Sequence, residues 1–243
     1  MNLIIDVGNT LIKLFFIEKG NICYTKQFKS VDKMEVFNVL NDDNNPVDYA
    51  IISSVIGLSD SYYALLRKYF NNLVVLDEHT KLPIVNKYKT SATLGKDRIA
   101  AIVGAHTIFP DTNVLVFDAG TALTIDFVSA KGEFCGGNIS PGLTMRFKAL
   151  NYYTNKLPLV KSEDFFPLIA KSTKKAIIAG VQNGLIFEID GYISEFKQKY
   201  NDLNVILTGG DSFFFAHKLK NPIFAEPFLT AIGLNRILEY YVE

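Results

Sequence analysis

Two short stretches of this chain carry the residue types that phosphate chemistry asks for, and they match one another 112 residues apart (118 − 6). Asp6-Val7-Gly8-Asn9-Thr10 follows the apolar run Leu3–Ile5, and Asp118-Ala119-Gly120-Thr121-Ala122 follows Val114–Phe117. Aligned without a gap, Asp6 falls on Asp118, Gly8 on Gly120, Phe15 on Phe127, Lys19 on Lys131 and Gly20 on Gly132. A turn of small residues exposes backbone N–H groups that a phosphate oxygen can approach closely. The carboxylate ending the strand before it can hold a divalent metal or order its waters. Lys13, on the returning strand, is placed as a point charge toward the phosphates, although a solvated strand lysine reads the same way. Asn9 and Thr10 equally suit a plain turn. Two such turns facing each other would grip one nucleotide; a pair of ordinary glycine hairpins is the plainer alternative.

A third cluster, Gly95-Lys96-Asp97-Arg98, opens an apolar helical stretch. Asp97 suits a general base that accepts a hydroxyl proton during phosphoryl transfer, and Arg98 offers a planar fork for a carboxylate. An early-helix acid favoured by the helix dipole would look identical. A fourth, Thr208-Gly209-Gly210-Asp211, ends an apolar strand and opens a helix. Its glycines would let a flat base lie against backbone, and Asp211 doubles as a candidate N-cap.

The elements that must position these residues follow from periodicity. Each Asp-x-Gly copy reads as strand, tight turn and returning strand closed by Lys-Gly. Further strands are expected at Ile22–Phe28, Val47–Ser53 and Leu73–Leu76, with helices over Val31–Leu40, Asp60–Phe70 and Asp97–Phe109. Asn41–Pro46 reads as a loop, and residues 77–93 as irregular. The second half repeats the plan with strands at Asn113–Asp118, Ala122–Val128 and near Glu133–Ile139, and then a helix after Gly142. A long helix over Ser172–Tyr200, the strand Asn204–Leu207 and a final helix over Pro227–Tyr241 complete it. The pattern implies an α/β fold of two related lobes, residues 1–110 and 111–243, each a mixed sheet flanked by helices, with a nucleotide cleft between them.

Bulk properties narrow the partners. Lys plus Arg and Asp plus Glu balance at 25 each, so no global field draws nucleic acid or an anionic membrane, and an anionic substrate needs a local site. No run of 18 apolar residues suggests a membrane span, and Asp6 comes too early for a signal peptide. The cysteines, Cys23 and Cys135, form no CxxC pair, and a cytoplasmic location is expected. His79, His106 and His217 share no ligand spacing, so zinc is not expected.

The four clusters, in this order, resemble the acetate and sugar kinase/Hsp70/actin superfamily and, more closely, type III pantothenate kinase. That family carries Asp-x-Gly-Asn-Thr, Gly-x-Asp-Arg, Asp-x-Gly-Thr-Ala and a late Gly-Gly. The resemblance spans essentially the whole chain, and Lys96 is a bulky charge in the variable slot of the second motif. It implies two actin-like (ribonuclease H-like) lobes and an enzyme that uses ATP and Mg²⁺ to phosphorylate pantothenate to 4′-phosphopantothenate, the first step of coenzyme A synthesis. By the same resemblance, Asp6, Val7, Gly8, Asn9, Thr10, Leu11, Ile12, Lys13 and Thr121 contact ATP. Asp118 binds a monovalent cation, K⁺ or NH₄⁺. Tyr88, Gly95, Lys96, Asp97, Arg98 and Thr173 meet pantothenate, Asp97 being the catalytic base. A homodimer is implied, its pocket closing against the partner subunit, and Ser172 or Thr173 also reads as a helix N-cap. Two rivals stand beside this reading: another small-molecule kinase of the superfamily, and a non-catalytic accessory factor of transcription that keeps the nucleotide turns.

Overall fold

Apolar runs that alternate or bury completely become strands wherever a glycine turn lets the chain reverse, and the repeat in sequence becomes a repeat in topology. The computed structural model describes residues 1–29 and 47–243. The helix expected over Val31–Leu40 and the loop at Asn41–Pro46 lie outside the described residues. The chain divides into two compact units, Met1–Ile108 with Leu229–Glu243, and Phe109–Phe228.

In unit 1, β1 (Asn2–Val7), β2 (Leu11–Glu18) and β3 (Asn21–Lys29) form an antiparallel meander. β4 (Tyr49–Ser54) and β5 (Leu73–Val75) add in parallel on the other side of β1, giving the order β3-β2-β1-β4-β5. Alternation sends Leu3, Ile5, Val7, Ile12, Leu14, Ala50 and Ile52 to one face, packed with Tyr62 and Leu66 of α1 (Asp60–Tyr69). Ser59 caps α1, its Oγ accepting from the Tyr62 N–H at 3.3 Å. Against β1 and β4 also pack α2 (Lys96–Ile108) and α6 (Leu229–Val242). Their backbones nearly touch: a Cβ on Gly233 would sit 1.8 Å from the Ala100 oxygen, and one on Gly104 2.3 Å from that of Leu229. Asn2 of β1 donates to Asn235 of α6 at 2.9 Å.

This corrects the boundary expected from sequence. Sequence order places the final helix in a lobe of residues 111–243, whereas Leu229–Val242 packs within unit 1. Periodicity reports which face of a helix is apolar; it says nothing about which sheet receives that face.

Unit 2 repeats the plan. β7 (Asn113–Ala119), β8 (Ala122–Val128) and β9 (Glu133–Pro141) are an antiparallel meander, and β10 (Leu203–Thr208) and β11 (Phe224–Ala225) extend it in parallel from β7. Across the sheet they run β9-β8-β7-β10-β11, position for position the order of unit 1. α3 (Leu143–Tyr152) and the 27-residue α4 (Thr173–Lys199) cover one face, and the short α5 (Ser212–Ala216) follows β10. Residues 77–93, expected to be irregular, hold only β6 (Val85–Asn86) and a single 3₁₀ turn at Ser91–Thr93.

Candidate active site

The first hairpin is anchored by Val7 and Ile12, a buried pair at the ends of β1 and β2. The Gly8 N–H donates to the Leu11 carbonyl at 2.9 Å, and Asn9 and Thr10 stand exposed at the tip. Directly behind the turn, β1 places Asp6 between two neighbours in register: Lys13 on β2 and Ser53 on β4. Paired residues on adjacent strands project from the same face, so these three side chains share one surface of the sheet.

Burial dominates the electrostatics of Asp6. Desolvation lifts its carboxyl from 3.8 to about 6; the Lys13 ammonium pulls the other way, and the Asp97 carboxylate adds to the rise. Asp97 therefore lies within electrostatic reach of Asp6, although it belongs to the first turn of α2. Gly95 makes room for it, since a Cβ there would meet Asp97 Oδ1 at 2.5 Å. The same oxygen accepts from the Arg98 N–H at 2.8 Å. The Arg98 side chain is 5% exposed and turns toward Tyr88. Its guanidinium carbon stands 5.2 Å from the ring centre, and Nη1 lies 3.5 Å from the tyrosine oxygen. Unit 1 thus brings Asp6, Lys13, Asp97, Arg98 and Tyr88 into one neighbourhood, with Gly95 and the half-buried Lys96 at the root of α2.

The second hairpin has the same beginning and a different return. Its last pair is Ala119 with Leu123, so three residues span the turn, where four lie between Val7 and Ile12. The returning strand is therefore slipped by one relative to the gap-free alignment. Phe127 takes the place of Phe16, Asp126 that of Phe15, and Thr124, not a lysine, stands across from Asp118. On its other side Asp118 pairs with Thr208 of β10. Asp126 is 1% exposed and rests against the neighbouring strand, where a Cβ on Gly137 would meet its Oδ1 at 2.2 Å. Thr121 is exposed at the tip, and the Gly120 N–H donates to the Ala122 carbonyl at 3.0 Å.

Two glycines that flank this turn matter for space. Gly209, at φ +93, lies where a Cβ would be 2.4 Å from Asp118 Oδ1, and the Asp211 N–H donates to the Ala119 carbonyl at 2.9 Å. Gly142, at the start of α3, would clash with the Gly120 and Thr121 carbonyls, each at 2.5 Å. Asp211 occupies the N-cap position of α5, but its side chain makes no cap bond; burial raises its carboxyl above the ordinary range. Thr173 is the exposed first residue of α4, with Ser172 at the N-cap position and no side-chain cap bond. Among the described residues no hydrogen bond ties Thr173 to the Gly120–Thr121 turn. In sequence, Ser53 and Thr124 carry no role, Thr208 only leads the Gly-Gly cluster and Gly142 only precedes a helix. A Pro-Gly step before a helix flags the last; the other three acquire a place only through strand register.

Among the described residues no group of three or more His, Cys, Asp or Glu side chains could hold a metal unaided. A divalent ion that rides on a nucleotide asks for less, one or two carboxylates plus phosphate oxygens, and Asp6 beside an exposed turn fits that demand. Asp118 has only hydroxyl-bearing register neighbours, an oxygen-rich surrounding suited to a hard cation.

A family model described as type III pantothenate kinase matches residues 2–195. The type III pantothenate kinase of Bacteroides fragilis (strain YCH46) is 48% identical over 243 residues, covering 99% of this chain and 98% of that protein. Among solved structures, a conserved protein of Campylobacter jejuni, provisionally named a Baf family transcriptional activator, superposes with a TM-score of 0.64 at 22% identity, covering 98% of each chain. An inorganic polyphosphate/ATP-glucomannokinase from Arthrobacter sp. strain KM does so at 0.50 and 14%, covering 100% of this chain and 99% of that one. At such identities the structural likeness speaks to fold alone, and the fold is the sugar-kinase arrangement anticipated from sequence as actin-like.

Proposed function

The chain belongs to the type III pantothenate kinase family, and from that premise we propose how its residues divide the ATP-dependent phosphorylation of pantothenate to 4′-phosphopantothenate, the opening step of coenzyme A synthesis. The observation that carries the assignment is the grouping of Asp6, Lys13 and Asp97 in unit 1, with Gly95 cleared for the Asp97 carboxylate.

Phosphoryl transfer asks a protein to position reactants and neutralise charge rather than to form bonds itself. The first turn, Asp6 through Lys13, holds ATP phosphates: Gly8, Asn9 and Thr10 at the tip offer backbone and hydroxyl donors, and Lys13 offers its ammonium. Val7 and Ile12 fix the turn through their burial, and the half-buried Leu11 through its carbonyl, which accepts from the Gly8 N–H. Asp6 orders Mg²⁺, which when bound neutralises charge on the transferring phosphoryl. Thr121 in the second turn also contacts ATP. Asp97 accepts the proton of the pantothenate primary hydroxyl as that oxygen attacks the γ-phosphorus, and the bond from the γ-phosphorus to the bridging oxygen breaks to release ADP. Its neighbour Arg98 pairs with the pantothenate carboxylate, while Tyr88, stacked on the guanidinium, lines the same pocket with Gly95 and Lys96. Asp118 takes a monovalent cation, and Thr173 meets substrate from α4.

The protein works as a cytoplasmic homodimer in this reading. No helix among the described residues is long and apolar enough to cross a membrane. Unit 2 exposes Phe165 (92%) and Ile169 (82%), with Tyr152 and Tyr153 nearby in sequence, more apolar surface than an isolated chain comfortably leaves in water. Sedimentation should show a dimer at micromolar concentration, and a fully active monomer would remove this part of the proposal. The catalytic assignment is tested by incubating the protein with ATP, Mg²⁺, K⁺ and pantothenate. Phosphopantothenate detected by mass supports it, and ATP hydrolysis without that product contradicts it.

A further inference from the structure

We propose that Ser53 is a positioning residue for the nucleotide site, its hydroxyl donating to the Asp6 carboxylate once Mg²⁺ and ATP are bound and holding one oxygen so that the other faces the turn. The inference rests on the reading of Asp6 given above. Ser53 is wholly buried, yet its Oγ has no hydrogen-bond partner among the described residues. Its neighbour Ser54 is fully engaged at the same strand end: it donates to the Ile56 carbonyl at 2.6 Å and accepts from the Ile56 N–H at 3.3 Å. A buried hydroxyl without a partner costs free energy that an alanine would not, so the group calls for an acceptor in another state.

Within the sheet, one candidate acceptor stands beside it. Ala50 and Ile52 point into the apolar cluster under α1, so alternation sends Ser53 to the opposite face, the face of Asp6. Toward β5, the chain continues from Val75 into Leu76, whose N–H donates to the Ile52 carbonyl and whose side chain is wholly buried and apolar. Toward β1, the residue in register is Asp6 itself. Strands in a sheet lie about 4.8 Å apart, so a change of rotamer brings a serine hydroxyl within hydrogen-bond distance of a carboxylate on the adjacent strand. β1 and β4 are parallel, and both end here, with the Val55 N–H donating to the Val7 carbonyl at 3.0 Å. The carboxyl ends of parallel strands are where open α/β sheets bind ligands. On its other flank Asp6 has Lys13. The carboxylate is thus gripped from both sides, by a charge on β2 and a hydroxyl on β4.

The test is calorimetric binding of ATP to the full chain, with Mg²⁺ and with EDTA, in the absence of pantothenate. Ser53→Ala should weaken Mg²⁺·ATP roughly tenfold, as loss of one hydrogen bond to a charged group does, and leave Mg²⁺-free ATP unchanged. Its melting temperature should not fall, because no bond of the free protein is lost. Ser53→Thr, which keeps the hydroxyl, should restore binding. In an Asp6→Asn background Ser53→Ala should have no further effect, since the acceptor charge is already gone. Unchanged Mg²⁺·ATP affinity in Ser53→Ala, equal weakening with and without Mg²⁺, a folded Thr variant that stays weak, or a full additional loss in the Asp6→Asn background would each overturn the assignment. If Asp6→Asn itself leaves the Mg²⁺ dependence intact, the reading of Asp6 has failed. If only the serine variants are silent, that reading stands and Ser53 has no part in it.

Discussion

The two Asp-x-Gly hairpins start alike and surround their carboxylates differently. Asp6 lies between Lys13 and Ser53, whereas Asp118 lies between Thr124 and Thr208. The first aspartate therefore has a cation built into the next strand, and the second has hydroxyls on both sides. The cause is a single residue of turn length. The second hairpin turns in three residues instead of four, then recovers the difference at its far end. There Ala130-Lys131-Gly132 replaces the two-residue Lys19-Gly20 turn. Lys19 and Gly20 both take positive φ, 50° and 78°, the geometry of a two-residue hairpin, while in the longer turn Gly132 alone does so, at 69°. A one-residue shift of register changes which side chain faces the site. A charge is thereby replaced by a hydroxyl without any change in the length of the repeat.

If this asymmetry matters, the acids and bases of unit 1 should carry the chemistry. Asp97→Asn is nearly isosteric and should fold, but it cannot take the hydroxyl proton. Steady-state kinetics should show kcat lower by about 10²–10⁴ with little change in the KM for ATP. The two residues that face the aspartates should differ next. Lys13→Met should cost about 10²-fold in kcat/KM for ATP, the scale of losing one preorganised charge partner, and Thr124→Val only a few-fold with K⁺ present. Equal losses in the two variants would erase the comparison.

The smallest effect is on stability. Because the folded-state pKa of Asp6 is raised to about 6, the native protein binds more protons than the unfolded chain between 3.8 and 6. Stability from this group is present below the unfolded value and falls as pH rises through the folded one. Asp6→Asn should therefore raise stability by about 3 kcal/mol at pH 7.5 in Mg²⁺-free buffer, and the gain should shrink to well under about 1 kcal/mol at pH 4. Denaturant melts at the two pH values check it. A loss of stability at neutral pH would mean that the Lys13 pairing outweighs desolvation.

Much of this was legible in the chain, and what was not has identifiable causes. The strand–turn–strand copies, the long helix now seen as Thr173–Lys199 and the helix bearing Asp97 stand where periodicity and turn residues put them. The gap-free match of Phe15 with Phe127 was misleading because two turns of different length compensate, and no pattern of apolar residues registers such a pair of offsetting changes. Ser53 is silent in sequence, and Thr208 visible only as the residue before Gly209-Gly210, for a related reason. A hydroxyl at the end of an apolar run has no meaning until a strand distant in sequence lies beside it. The placement of the last helix in unit 1 depends on Gly104 and Gly233, glycines that look like weak helix residues in sequence and serve as contact points between two backbones.

We propose that the second hairpin, with Thr124 and no lysine in register opposite its aspartate, takes a cation from solution. Turnover of pantothenate should be measured at constant ionic strength with Na⁺, K⁺ or NH₄⁺ as the only monovalent cation. The account predicts that activity collapses in Na⁺, returns in K⁺ or NH₄⁺, and loses this selectivity in Asp118→Asn. Full activity in the absence of any monovalent activator, or an Asp118→Asn variant that still distinguishes K⁺ from Na⁺ as the wild type does, would contradict it.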